Sequence, residues 1–104
     1  MHDQYLVFNS FGVKTKFHKI KSDELWFFHS GNPISIECID DNNLKTQILL
    51  SNEGSETTFP SGVVKAGIWF ASESLSGKDD YSLVSCAVAP GFNFKDFQLK
   101  SVCL

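Results

Sequence analysis

His18 and Glu24 are the residues best placed to do chemistry in this 104-residue chain, and glycines flank them at fixed offsets. Gly12, His18, Glu24 and Gly31 read G-x5-H-x5-E-x6-G, and further on Gly54, Pro60 and Gly62 read G-x5-P-x-G. An imidazole titrates near neutrality, so His18 is a candidate general base, and His and Glu together are metal-ligating types. The glycines and the proline are turn-formers that support the fold and carry no chemistry of their own.

The elements that must position these residues read as strands. Every apolar run is short and bounded by turn chemistry: Tyr5 to Phe8, Lys14 to Ile20, Glu24 to His29, Ile34 to Ile39, Leu44 to Leu50, Val63 to Ala71 and Tyr81 to Val88. Asp40-Asp41-Asn42-Asn43 supplies four successive turn-formers. The polar segment Glu73 to Asp80 reads as a mobile loop, and Phe94 to Leu99 as a helical turn or a last strand. Such strands at regular intervals, with no long helical period, predict an all-β sandwich or jelly-roll barrel. Alternation puts Glu24, Trp26 and Phe28 on one face of their strand and Leu25, Phe27 and His29 on the other. Val63, Lys65, Gly67, Trp69 and Ala71 likewise share a face, so if both hairpins line one cavity, Glu24 and Trp26 face Lys65 and Trp69. Bulky apolar groups on both faces predict that each strand is buried on two sides.

Length and composition predict a single domain over residues 1–104. A formal net charge of −3, with no basic stripe, argues against a nucleic-acid partner. No segment has the length of a membrane span and no signal peptide precedes Tyr5, so no membrane partner is expected. Cys38, Cys86 and Cys103 are odd in number and form no metal or disulfide spacing, which favours a reducing, cytoplasmic setting. Ten phenylalanines exceed what a small private core needs, and a homodimer that covers some of them is expected.

The two spaced patterns resemble the two motifs of the cupin superfamily. Within it, Phe17-His18-Lys19-Ile20-Lys21-Ser22-Asp23-Glu24-Leu25-Trp26 with Ser30-Gly31 resembles the cupin-5 (DUF985) family. Tyr81 to Phe92 and Phe94-Lys95-Asp96-Phe97 are similar to that family's closing segment. The resemblance covers about Lys14 to Leu99 and implies a double-stranded β-helix, here N-terminally shortened, since family members carry a further Gly-, Tyr- and Arg-rich segment. A trimmed barrel, or a neighbouring subunit that covers the missing wall, follows from that difference.

Metal-binding cupins hold their ion with two His and a Glu from the first motif and one His from the second. Here the companion position of His18 is Ile20 or Lys16, and the second-motif position is Lys65. Two ligands cannot close a four-ligand site and an ammonium opposes a dication, so no catalytic metal and no cofactor are expected. Lys65 either pairs with Glu24 across the cavity, which suits an acidic or hydroxylated small molecule, or extends out at the barrel mouth. The expected pocket is lined by His18, Glu24, Trp26, Lys65, Trp69 and Tyr81, with both tryptophans available to stack on a ring. The leading expectation is a metal-free small-molecule-binding domain. By analogy with superfamily epimerases that use a His and a Tyr, the alternative is a carbohydrate isomerase or epimerase with His18 as base and Tyr81 or Tyr5 as acid. A third possibility is a shortened cupin packed solid that serves only as an interaction module.

Overall fold

Strand alternation and turn chemistry build two antiparallel sheets packed face to face. The computed structural model describes residues 2–8, 14–52, 56–89 and 98–100, with side chains for 14–52 and 56–88. These residues form β1 (His2–Phe8), β2 (Phe17–Lys19), β3 (Asp23–Gly31), β4 (Ile34–Ile39), β5 (Lys45–Leu50), β6 (Ser61–Val64), β7 (Trp69–Ser74), β8 (Ser82–Ala89) and β9 (Gln98–Lys100). One sheet has the order β1-β8-β3-β6 and the other β5-β4-β7-β2-β9. Gly12, Gly54, the Pro90-Gly91-Phe92 turn, Phe94 to Phe97 and Cys103 lie outside the described residues, as does the side chain of Tyr5.

Burial follows the period of two in β3 but not in β7. In β3, Trp26 and Phe28 are buried while Phe27 and His29 are exposed, so the expectation of burial on both faces does not hold there; in β7 the successive residues Phe70, Ala71 and Ser72 are all buried. Trp26, Phe28, Val64, Val84 and Cys86 of the four-stranded sheet meet Ile34, Ile36, Cys38, Leu50 and Phe70 of the other in one cluster. Trp26 and Phe70 join the sheets edge to face, with ring centroids 6.3 Å apart at 87°. Such aromatic contacts add about 0.5–1.5 kcal/mol beyond the area they bury.

The run Val63 to Ala71 is two strands in different sheets, not one. Residues between Val64 and Trp69 cross from one sheet to the other: Gly67 takes φ 80°, and its N–H donates to the Ile20 carbonyl at 2.9 Å. The continuous apolar character of Val63-Val64 and Ile68-Trp69-Phe70 conceals that corner in the sequence. Elsewhere the turns match the residue types. Asp40 Oδ1 accepts from the N–H groups of Asn42 and Leu44 at 2.8 and 2.9 Å, and Asn43 adopts φ 61°.

The loop that links β7 to β8 is tied down. Asn32, 2% exposed, donates through Nδ2 to the Asp79 carbonyl at 2.6 Å and accepts the Asp79 N–H at 2.9 Å. Ser82 Oγ donates to the Asn32 carbonyl at 2.6 Å and lies 2.5 Å from Ser74 Oγ. This clip requires a glycine before it. Gly31 has φ 93°, and a Cβ there would stand 2.2 Å from the Tyr81 carbonyl oxygen, which is backbone and cannot yield.

Gly31 and Gly67 therefore separate two costs. Gly67→Ala meets nothing within 4 Å and is expected to lose about 1–2 kcal/mol from its positive φ alone. Gly31→Ala adds a backbone clash and is expected to lose about 3 kcal/mol or more. Urea unfolding of both variants checks the ranking, and equal losses would contradict it.

Candidate functional site

The four-stranded sheet turns Glu24 inward because Trp26, two residues on, is locked into the core. Glu24 stands between Val64 of β6 and Val88 of β8, both buried. Burial pushes its carboxyl above the ordinary 4.5, and a hydrogen bond from the Cys86 thiol partly offsets that. The Cys86 thiol is pushed well up by burial and by the neighbouring carboxyl, so it is a buried inert group and not a nucleophile.

The five-stranded sheet supplies His18. It pairs with Phe70 across β2 and β7, and the two rings lie 4.1 Å apart between centroids. Since Phe70 is fully buried against Trp26, His18 faces the same interior from the opposite wall. Its Nδ1 lies 2.9 Å from the Lys16 carbonyl, which only an Nδ1–H can satisfy, so in the neutral ring Nε2 carries the lone pair. Burial lowers the His18 pKa, with the Lys16 carbonyl acting in the other direction, and the ring is neutral at pH 7.

Three other expected site residues lie elsewhere. Trp69 precedes the inward Phe70 by one position, and strand alternation turns it to the outer face, where Lys19 Nζ sits 5.1 Å from its ring centroid. Lys65 lies beyond the end of β6; its side chain is 74% exposed and its Nζ is 3.7 Å from Asp23 Oδ2. Val63 lies on the outer face of the four-stranded sheet and Trp69 on the outer face of the other, so Val63, Lys65, Trp69 and Ala71 do not form the expected single pocket wall. The inward residues are Gly62, Val64 and Phe70. Tyr81 caps the far end of the barrel, exposed, with its hydroxyl 3.4 Å from Ser30 Oγ. The neighbouring Ser82 touches Ser74, which is four residues along β7 from Phe70, or about 13 Å of strand. Tyr81 and His18 are thus at opposite ends.

Among the described residues no group of three or more His, Cys, Asp or Glu is placed to hold a metal ion. The donor set explains this: Ile20 is buried and apolar, the Lys16 carbonyl is committed to His18, and Lys65 points away. The residues present do not fit the four-ligand cupin centre. A cleft of ≈ 240 Å³ opens where the edge strands β5 and β6 part, floored by Cys38, Ile48, Val64 and Ile68, with Asp40 and Lys65 at its rim. Ile48 and Ile68 pack on the cluster that contains Trp26, and Val64 belongs to it, so the cleft floor is the edge of that core. The sequence pattern conceals the role of Asn32, because Gly31-Asn32-Pro33 reads only as a turn. Cys86 is legible only as one buried position in an alternating strand.

Two antiparallel sheets closed around an interior that holds one His and one Glu define a protein of the cupin type. Residues 5–100 match the cupin superfamily family DUF985, and the chain belongs to that family. Protein SO0799 of Shewanella oneidensis is similar at 33% identity and a TM-score of 0.85 over 95% of this chain and 61% of its own. A hypothetical protein from Leishmania major is similar at 26% identity and a TM-score of 0.77, over 92% of this chain and 62% of its own. The chain thus spans about three-fifths of the length of both relatives. At 9% identity the fold is also that of QdtA, a sugar 3,4-ketoisomerase from Thermoanaerobacterium thermosaccharolyticum, with a TM-score of 0.71 over 93% of this chain and 64% of that one. At 16% identity it is that of a dTDP-4-dehydrorhamnose 3,5-epimerase from Elizabethkingia anophelis, with a TM-score of 0.73 over 95% of this chain and 55% of that one. Comparison with curated proteins gives no match.

The two interior titratable groups make opposite contributions to stability. Glu24, with its pKa raised, contributes stability that is fully present below pH 4.5 and is lost as pH rises through its folded value. His18, with its pKa lowered, contributes stability present above pH 6.5 and lost as pH falls through its folded value. Glu24→Gln removes the first term and keeps the shape. The variant is expected to match the wild type near pH 4 and to gain on it steadily toward pH 7. The difference between the two urea-unfolding curves isolates Glu24, because His18 cancels; a difference that shrinks with rising pH would reverse the assignment.

Proposed function

We propose that this chain binds a small molecule in the space between its sheets, with His18 and Glu24 as the polar contacts and without a catalytic metal. One observation carries the reading: two titratable side chains enter an otherwise apolar core from opposite walls, which is costly for stability and useful for recognition. We take the cleft between β5 and β6, whose floor includes Val64, the strand partner of Glu24, as the route in. Its rim cation, Lys65, pairs with Asp23 instead of reaching Glu24, so a hydroxylated ligand is better supported than an acidic one.

A second reading, a metal-independent isomerase or epimerase on a carbohydrate-like substrate, is favoured by the Nδ1–H bond of His18 to the Lys16 carbonyl, which makes Nε2 the basic nitrogen of the ring. Fold neighbours named as a sugar 3,4-ketoisomerase and a dTDP-4-dehydrorhamnose 3,5-epimerase lend it support at the level of fold. Tyr81 does not serve as the matching acid, since it stands at the other end of the barrel.

Native mass spectrometry with metal analysis on the purified protein tests both readings. An organic adduct released by denaturation is expected, lost in His18→Leu or Glu24→Leu and kept in Trp69→Phe. One stoichiometric transition metal per chain would overturn the metal-independent reading. A chain that carries no adduct and gains no thermal stability from a library of small polar molecules would point instead to an interaction module.

We also infer a homodimer formed through the outer face of the four-stranded sheet, where Leu25, Phe27 and Val63 lie side by side and Phe27 and Val63 are 40% and 44% exposed. Sedimentation velocity is expected to show a dimer that Phe27→Asp converts to monomer with unchanged circular dichroism. A monomeric wild type would sink this inference.

A further inference from the structure

We propose that the interior ligand is an uncharged molecule that offers an oxygen acceptor to the indole N–H of Trp26, as a free sugar or polyol does, and that nucleotide-linked sugars do not bind. The proposal rests on the binding role assigned above to the space between the sheets, and narrows it.

The first observation is a missing bond. Trp26 is 2% exposed, and its Nε1 is the one buried side-chain polar atom among the described residues without a hydrogen-bond partner. An indole nitrogen can only donate. Leaving such a donor unpaired costs about 1–3 kcal/mol, and folded proteins seldom tolerate it without water or a ligand to complete it. Its strand neighbours supply no acceptor: Gly62 on one side has no side chain, and Cys86 on the other is engaged with Glu24.

The second observation is charge. All nine cationic side chains of this chain are lysines, and there is no arginine. Recognition of a diphosphate commonly uses the bidentate fork of arginine, or at least a fixed ammonium. Lys16, Lys21, Lys45, Lys65 and Lys78 are exposed. Lys14 pairs with Glu37, and Lys19 covers Trp69 on the outer face. Lys95 and Lys100 fall outside the described side chains. No described ammonium faces the interior, whereas the Glu24 carboxyl does, and a carboxyl repels an entering anion once ionised. A neutral ligand meets no such opposition and completes the orphaned donor.

The indole ¹H–¹⁵N resonances test the proposal directly. The chain has two tryptophans, and Trp69→Phe assigns the pair from a position on the outer face. The probes are D-xylose and myo-inositol as neutral molecules, against dTDP and dTDP-D-xylose as anions, each at millimolar concentration. The expected result is that a neutral probe moves the Trp26 signal and leaves Trp69 in place, while the dTDP compounds move neither. Trp26→Phe is then expected to weaken the neutral probe about tenfold, the loss of one hydrogen bond of ordinary strength. Movement of the Trp26 signal by dTDP or dTDP-D-xylose would overturn the neutral-ligand inference and leave the binding role intact. If no probe of either kind moves it, the interior does not receive such molecules and the binding role fails together with the inference.

Discussion

The edge-to-face contact of Trp26 on Phe70 fixes the orientation of everything else in this barrel. Each ring belongs to a different sheet, and a strand's side chains alternate without exception through its regular part. With Trp26 inward, Glu24 and Phe28 must be inward too, and Phe27 must face out. With Phe70 inward, its register partner His18 faces in, and Trp69 is expelled to the outer surface. The polar groups of the interior are therefore consequences of aromatic packing. A one-residue slip of β7 would bring Trp69 in, one of β3 would bring Leu25 and Phe27 in, and either would lose the contact between the sheets.

The ends of the barrel obey a different constraint, the requirement that buried backbone and polar groups be paired. At the Tyr81 end this is met without charge. Asn32 serves both the N–H and the carbonyl of Asp79 in the β7–β8 loop, Ser82 closes onto the Asn32 carbonyl, and Ser74 joins Ser82. Each partner is short, which lets Gly31 bring the Tyr81 backbone within a distance that no side chain would permit. At the other end Asp23 holds the corner after β6, accepting the Ala66 N–H at 2.8 Å while its second oxygen faces Lys65. That corner explains why Lys65 is unavailable to Glu24: its ammonium is drawn to the adjacent carboxylate, on the solvent side of the same strand.

Much of the fold was legible in the sequence because its signals are local. Turn-formers bound nearly every strand, the period of two puts Glu24, Trp26 and Phe28 together, and the two glycine-spaced patterns carry the family resemblance that the match over residues 5–100 establishes. Of the positions expected to face the interior, only those of the first pattern were legible. His18 and Glu24 lie on strands where alternation holds, and both face the interior. Lys65 and Trp69 were misplaced because counting by twos through Lys65 to Ile68 assumes one strand, while Gly67 at φ 80° turns a corner there. The residues grouped by that count lie in two sheets, and a single strand's pattern also does not supply which of its two faces is inside. Val63 and Val64 are equally apolar, yet one is 44% exposed and the other 2%. Only the partner sheet decides between them.

The same packing accounts for why the cupin frame persists here without the donor set of its usual metal centre. A dication in the interior would need several donors converging from both walls, and those donors are stable in an apolar space only when the ion is there to meet them. In this chain Ile20 and Val64 occupy inward positions beside His18 and Glu24 and add to the core in the ordinary way. What is left is a carboxyl whose pKa burial raises and an imidazole whose pKa burial lowers. Each shift favours the neutral form, which exchanges hydrogen bonds with an uncharged partner without moving a net charge into the barrel. A metal site stabilises its donors with charge; this interior shifts its polar groups toward their uncharged forms.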